Sequence, residues 1–231
     1  MPNTQHGIGC GCFGTIGRRG ALRATAGLLA ASSLPRTARA DDEMTPASAL
    51  SALMEGNKRF VQMQLGACQQ DLSILRERTA AKQVPFAAVL SCADSRVPVE
   101  LIFDQTIGHV FVTRVAGNIA SADIIASLEY SVALLGTKAV VVIGHQNCGA
   151  VKAAIEGEPV PGQISTLYRS LRPAVERAHH DLEAAIKANA QIQAGLLRDA
   201  SPVMADAIKK KQLIVVAAYY DLASGVVSLL T

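Results

Sequence analysis

The chain has no tryptophan, and aromatic residues fill only 4% of its 231 positions. Nowhere does it string together the roughly 20 apolar residues that a membrane-spanning helix needs, which excludes a polytopic membrane protein. Charged residues are sparse, at 18% against 50% apolar; that balance belongs to a globular chain and excludes disorder as the main theme. Acidic residues are missing altogether from the first 40 positions, where Arg18, Arg19, Arg23, Arg36 and Arg39 stand. The formal charge of +3 comes from this leader, because the rest of the chain sets the remaining 17 basic residues against 19 acidic ones. A nucleic-acid footprint is therefore not expected.

The leader has the three parts of an export signal: the pair Arg18-Arg19, an apolar stretch at 24–34, and Ala38-Arg39-Ala40, with cleavage expected after Ala40. The string Gly17-Arg18-Arg19-Gly20-Ala21-Leu22-Arg23 resembles a twin-arginine signal, with Ala21 where phenylalanine is usual. The expected organisation is a removed signal at 1–40 and a single domain at 41–231, exported to the periplasm or an equivalent compartment. Twin-arginine export carries folded proteins, which suits a protein that acquires a metal before crossing. Of five cysteines, Cys10 and Cys12 leave with the leader, and Cys68, Cys92 and Cys148 remain. Three is odd, and few for a disulfide framework. Thiolates bound to a metal are protected from oxidation, because coordination occupies the attacking lone pairs.

In the mature chain, Thr45-Pro46 reads as an N-cap with proline at the first helical position, and Leu50, Leu53, Met54, Phe60 and Val61 follow at helical spacing. Short apolar, β-branched runs at 86–91, 110–115, 139–143 and 213–219 read as buried strands. A helical pattern at 121–135 ends at Gly136, and another begins at 164–180 with a predicted interruption at Pro173. The turn at 221–225 leads into an antiparallel edge strand at 226–230. Alternating strands and helices predict an α/β fold: a mostly parallel sheet flanked by helices, with that antiparallel edge strand.

Two strands run into groups that bind soft metals. The first meets Cys92-Ala93-Asp94-Ser95-Arg96 and the other His145-Gln146-Asn147-Cys148-Gly149. Loops gather beyond the carboxyl ends of parallel strands, so Cys92, His145 and Cys148 can meet although 53 positions separate the first two. Two thiolates and an imidazole suit Zn²⁺ and leave a fourth position for water, the mark of a catalytic rather than a structural site. Asp94 and Arg96 strengthen the pattern, because a buried acid and a guanidinium two residues apart are costly unless they pair or serve the metal.

Cys-Ala-Asp-Ser-Arg followed by His-x-x-Cys-Gly resembles the β-class carbonic anhydrases. Phe111-Val112-Thr113-Arg114-Val115-Ala116-Gly117-Asn118 resembles that family's second signature, and Tyr219-Tyr220-Asp221-Leu222 its closing strand and turn. The resemblance implies one zinc per chain held by Cys92, His145 and Cys148, with Asp94 and Arg96 as a dyad that orients the attacking oxygen. The activity it implies is reversible hydration of CO2 to bicarbonate and a proton. It also implies Gln105 and the Gly149 amide as substrate-oxygen donors, Asp94 as an alternative fourth ligand in a closed state, and a homodimer or dimer of dimers. An inhibitory bicarbonate pocket built around tryptophan in one subgroup is not expected, since Val89 takes that place.

Two other functions are open at this point: hydrolysis of CS2 or COS by the same zinc chemistry, and a non-catalytic zinc-binding or redox module. His109 could relay protons but reads better as a solvated loop residue. Lys209-Lys210-Lys211 reads as a helix end that complements the dipole, and His179-His180 as a surface pair. Gly117-Asn118 reads as a turn, and Cys68 as structural or exposed.

Overall fold

Thr45 and Pro46 begin a helix as predicted. In the computed structural model, which describes residues 44–67 and 72–231, helix α1 spans Pro46–Val61. Thr45 and Ser48 bond reciprocally, each side chain accepting the other's backbone N–H, which satisfies two donors that a helix start leaves open. Ala49, Leu53, Gly56 and Asn57 form its buried face, with Leu50, Met54 and Phe60 packed beside it and Val61 exposed. Gly56 lets α1 settle onto the core: a Cβ there would meet the Phe103 carbonyl oxygen at 1.8 Å. The predicted export signal at 1–40, with Cys10 and Cys12, and Cys68 further on, lies outside the described residues.

The remaining elements are α2 Leu72–Thr79, β1 Ala87–Ser91, α3 Val99–Ile102, β2 Val110–Arg114, a 3-10 turn at Ala116–Asn118, α4 Ala122–Ala133 and β3 Ala139–His145. They continue with α5 Gly149–Glu156, α6 Thr166–Arg177, α7 Leu182–Ala200, α8 Pro202–Lys209, β4 Ile214–Tyr220 and β5 Val227–Leu230. The strands lie in the order β2-β1-β3-β4-β5. The first four run parallel, and β5 pairs antiparallel with β4 after a turn closed by Asp221 on Ser224.

Every residue of β1 and β3 is buried, because strands covered on both faces carry unbroken apolar runs. Alternate side chains serve two cores. Ala87, Val89, Val141, Ile143 and Ala218 pack with Leu53, Ile102 and Phe103 on the side of α1 and α3. Ala88, Leu90, Val140, Val142 and Ala217 pack with Leu128, Ala194, Leu197 and Met204 from α4, α7 and α8. Among the described residues no helix is long and apolar enough to cross a membrane.

Helix α6 differs from the reading above, for it runs through Pro173 without a break. Proline removes one backbone bond, but Pro173 is exposed, so water can serve the freed carbonyl. Leu171, Ala174 and Val175 keep the other face buried.

The strand order explains where a site can form. From β1 the chain moves to β2 on one side, and from β3 to β4 on the other. The loops leaving β1 and β3 part in opposite directions, and such a switch point opens a crevice at the carboxyl ends of adjacent strands.

Candidate metal centre

Cys92 follows the last residue of β1, His145 ends β3, and Cys148 is the N-cap residue of α5. Asn147, in the left-handed region at φ 53°, makes the turn between the last two. The ligand atoms of Cys92, His145 and Cys148 all lie within 4.8 Å of one another, and all three residues are buried. The two sulfurs are 4.0 Å apart, far beyond the ~2.05 Å of a disulfide.

His145 Nδ1 lies 3.0 Å from the Gln146 carbonyl oxygen. A carbonyl can only accept, so Nδ1 carries a proton, and in the neutral ring Nε2 is the nitrogen with the free lone pair. That Nε2 is buried and has no hydrogen-bond partner, a cost of about 1–3 kcal/mol that an electron-pair acceptor in the cluster removes. An orphaned imidazole nitrogen beside two thiols fits a soft divalent cation, and zinc best, with one tetrahedral corner left over. The Cys148 thiol draws Cys92 toward thiolate, helped by His145 and by the Gly117 N–H at 3.3 Å, against the opposing effect of burial. Cys148 is pushed the other way, by Cys92 first and then by burial.

Beside the cluster, Arg96 grips Asp94 with both arms: Nε donates to Oδ1 at 3.0 Å and Nη2 to Oδ2 at 2.8 Å, while the Arg96 backbone N–H reaches Oδ1 at 2.9 Å. The guanidinium holds the Asp94 carboxyl far below the usual carboxylate range. Asp94 Oδ2 stands 3.9 Å from His145 Nε2. The pair is less buried than its sequence pattern suggests, with side chains 19% (Asp94) and 51% (Arg96) exposed, because it sits on a turn at the sheet rim. Desolvation alone therefore does not force the pairing; the bidentate geometry carries it.

The structure thus brings Cys92, His145, Cys148, Asp94 and Arg96 together. Gly149 joins them as the first residue of α5, exposed, and a Cβ there would meet nothing within 4 Å. Gln105 does not join them. Its Nε2 donates to the Phe103 carbonyl at 2.9 Å, and its Oε1 lies 3.4 Å from His109 Nδ1. His109 in turn accepts the Phe86 N–H through its carbonyl, which places it before β2, at the amino end of the parallel strands. Six residues of strand rise separate that level from Cys92, about 20 Å. The same distance removes His109 from a direct relay.

Sequence reasoning missed Arg114, whose Nε donates to the Cys92 carbonyl at 3.0 Å and whose Nη2 reaches the Asp94 carbonyl. A charged residue closing an otherwise apolar strand was the available signal. It also missed two buried amides on α7, Asn189 and Gln193.

Fold and site together define an α/β protein with a buried Cys-His-Cys donor cluster at a strand switch point. The carbonic anhydrase family model matches residues 87–227. Carbonic anhydrase 2 of Mycobacterium tuberculosis is 39% identical over 142 residues, 59% of this chain and 67% of that protein. A Pseudomonas aeruginosa carbonic anhydrase is 34% identical over 169 residues, 66% of this chain and 76% of that one. Among solved structures, the Coccomyxa β-carbonic anhydrase in complex with acetazolamide superposes with a TM-score of 0.63 at 28% identity, covering 78% of this chain and 86% of that chain. A tetrameric β-carbonic anhydrase of Sordaria macrospora shares the fold at 24% identity and the same TM-score, covering 69% of this chain and 90% of its own. The chain belongs to the β-carbonic anhydrase family.

Proposed function

We propose that Cys92, His145 and Cys148 hold one Zn²⁺ per chain and that the protein catalyses the reversible hydration of CO2 to bicarbonate and a proton. One observation carries the reading: a buried three-donor cluster with an orphaned imidazole nitrogen stands beside a carboxylate clamped by arginine. Bound zinc supplies the Lewis acidity that makes a water nucleophilic near neutral pH. Asp94, kept ionised by Arg96, accepts a hydrogen bond from the attacking water and fixes its lone pair toward CO2. So strongly held an acid is a poor proton carrier near neutrality, and the released proton leaves through solvent and buffer. The Gly149 N–H, on the first residue of α5, donates to a substrate oxygen where the helix start favours negative charge. Gln105 takes no part in this chain's own centre. Asp94, freed from Arg96, is also the candidate fourth ligand of a closed state.

Residues 1–40 are read as a twin-arginine-type signal that sends the protein to the periplasm. The active assembly is read as a homodimer or dimer of dimers, a reading supported by the exposed apolar side chains of Met44 and Val61 at the two ends of α1.

Stopped-flow CO2 hydration, with zinc and free thiols counted on the same sample, tests the proposal. The expected result is stoichiometric zinc and hydration above buffer from pH 7 to 9; full zinc without hydration overturns it. CS2 and COS offered in parallel decide between electrophiles, and zinc-free protein with Cys92 joined to Cys148 would mark a redox module instead.

A further inference from the structure

The inner face of α7 is apolar except at two places. Ala185, Ile186, Ala190, Ala194 and Leu197 are buried there, and among them Asn189 is 0% and Gln193 3% exposed. Amides in such positions lose their hydration, which costs several kcal/mol unless every polar atom finds a partner. Here each does. Asn189 Nδ2 donates to the Gly117 carbonyl at 2.8 Å, and its Oδ1 accepts Gln193 Nε2 at 3.1 Å. Gln193 Oε1 accepts the Ala120 N–H at 2.9 Å, and Nε2 also faces the Ser170 carbonyl at 3.5 Å. The two side chains stand one helical turn apart and share a bond, so neither can turn without releasing the other.

What they grip is the turn Ala116–Asn118 and the residues just after it. Gly117 stands at φ +74°, and a Cβ there would press on Leu171 at 3.1 Å and Ala150 at 3.4 Å. Its N–H points to Cys92 Sγ at 3.3 Å. The turn thus lies close to side chains of α5 and α6, is tied to α7 at the Gly117 carbonyl and again just beyond it at the Ala120 N–H, and aims one backbone donor at a metal-ligand sulfur.

We propose that Asn189 and Gln193 are positioning residues for the metal centre: they hold the 116–120 segment so that the Gly117 N–H stays on Cys92 Sγ. With apolar side chains at both places the Gly117 carbonyl and the Ala120 N–H would lose the partners they have here. A hydrogen bond to a ligating sulfur lowers its electron donation and fixes its direction, so losing the grip alters both metal affinity and the spectrum of the bound ion.

This inference rests on the reading that Cys92, His145 and Cys148 bind a divalent metal, and one experiment separates the two. Full-chain protein is stripped and reloaded with Co²⁺. The thiolate-to-cobalt absorption band is recorded, and affinity is measured by competition with a chelator for wild type, Asn189→Leu, Gln193→Met and Leu128→Ala. Leu128 is buried on α4, and its truncation serves as a destabilised control. Thermal unfolding of the metal-free proteins ranks their stabilities. The expected result is a shifted thiolate band and a metal affinity about tenfold or more weaker in Asn189→Leu, a smaller change of the same kind in Gln193→Met, and neither change in Leu128→Ala. If Asn189→Leu does not fold, Gln193→Met decides by the same two readouts. Wild type that takes up no cobalt removes the metal-centre reading itself. Wild type that binds while the α7 variants match it in band and affinity overturns the positioning role alone. An equal affinity loss in Leu128→Ala at similar stability also overturns it.

Discussion

Two polar clusters make an instructive contrast, one at the carboxyl ends of β1 and β3 and one between α1 and the segment after α3. At the carboxyl end, Cys92, His145 and Cys148 leave one imidazole nitrogen without a partner and two thiols unjoined. Between α1 and the segment after α3, polar groups are spent on one another. Asp104, its side chain 1% exposed, takes the Gly66 and Ala67 N–H groups and Arg59, and Gln105 bonds Phe103 and His109. Burial pushes the Asp104 carboxyl up, but those two amides and Arg59 outweigh it and hold it low. Satisfied polar groups stabilise; unsatisfied ones invite a ligand. The difference follows from partners: Asp104 meets Arg59 and two backbone amides within the chain, while the switch point of β1 and β3 leaves an imidazole nitrogen open.

The contrast breaks most completely if a ligand is removed. Cys148→Ser or His145→Ala should bring zinc content and CO2 hydration down to background while the fold survives by circular dichroism; retained zinc would erase the distinction. Next in size is Asp94→Asn, which keeps the donors but loses the anion that Arg96 grips. It should hold full zinc and lose about 10²-fold in kcat/KM, read by stopped flow against metal analysis.

Around Asp104 the effect should move from activity to stability. Asp104→Ala strands two amides and Arg59, so denaturant titration should show a loss of about 2–3 kcal/mol, with turnover per folded molecule unchanged. The acid's pKa is lower in the folded chain than the ~3.9 of an unfolded aspartate. Its stabilisation is therefore full above that unfolded value and fades as pH falls through the folded one. The gap between wild type and Asp104→Ala should accordingly narrow below pH 4.

The smallest effect belongs to His109. Burial lowers its pKa, so the folded chain resists its protonation, and the stability it permits above about 6.5 is lost as pH falls below that value. His109→Gln should flatten that slope slightly and leave turnover in weak buffer unchanged; a fall in turnover would put a proton path through the wrong end of the sheet.

Much of this was legible beforehand. The four parallel strands lie within a residue or two of the apolar runs, because β-branched runs of five to seven residues have few other uses. The clustering of Cys92, His145 and Cys148 was legible because His-x-x-Cys and the lone Cys92 each follow the end of a strand. Strand order was not, since lateral position depends on crossovers that local sequence does not encode. Gln105 was read from the family resemblance, and its bonds to Phe103 and His109 depend on a tertiary placement that local sequence does not encode. Asn189 and Gln193 stayed hidden because amides four apart in an alanine-rich helix look like a solvated stripe, and only their packing onto Gly117 gives them meaning.

The spacing of the two sulfurs also governs how the protein must be handled. At 4.0 Å they stand about 2 Å short of a covalent bond, so metal-free protein left in air should cross-link and recover its two thiols only after reduction, which free-thiol counts over time would record. Order of events becomes part of the molecule's chemistry: cation first, oxygen afterwards.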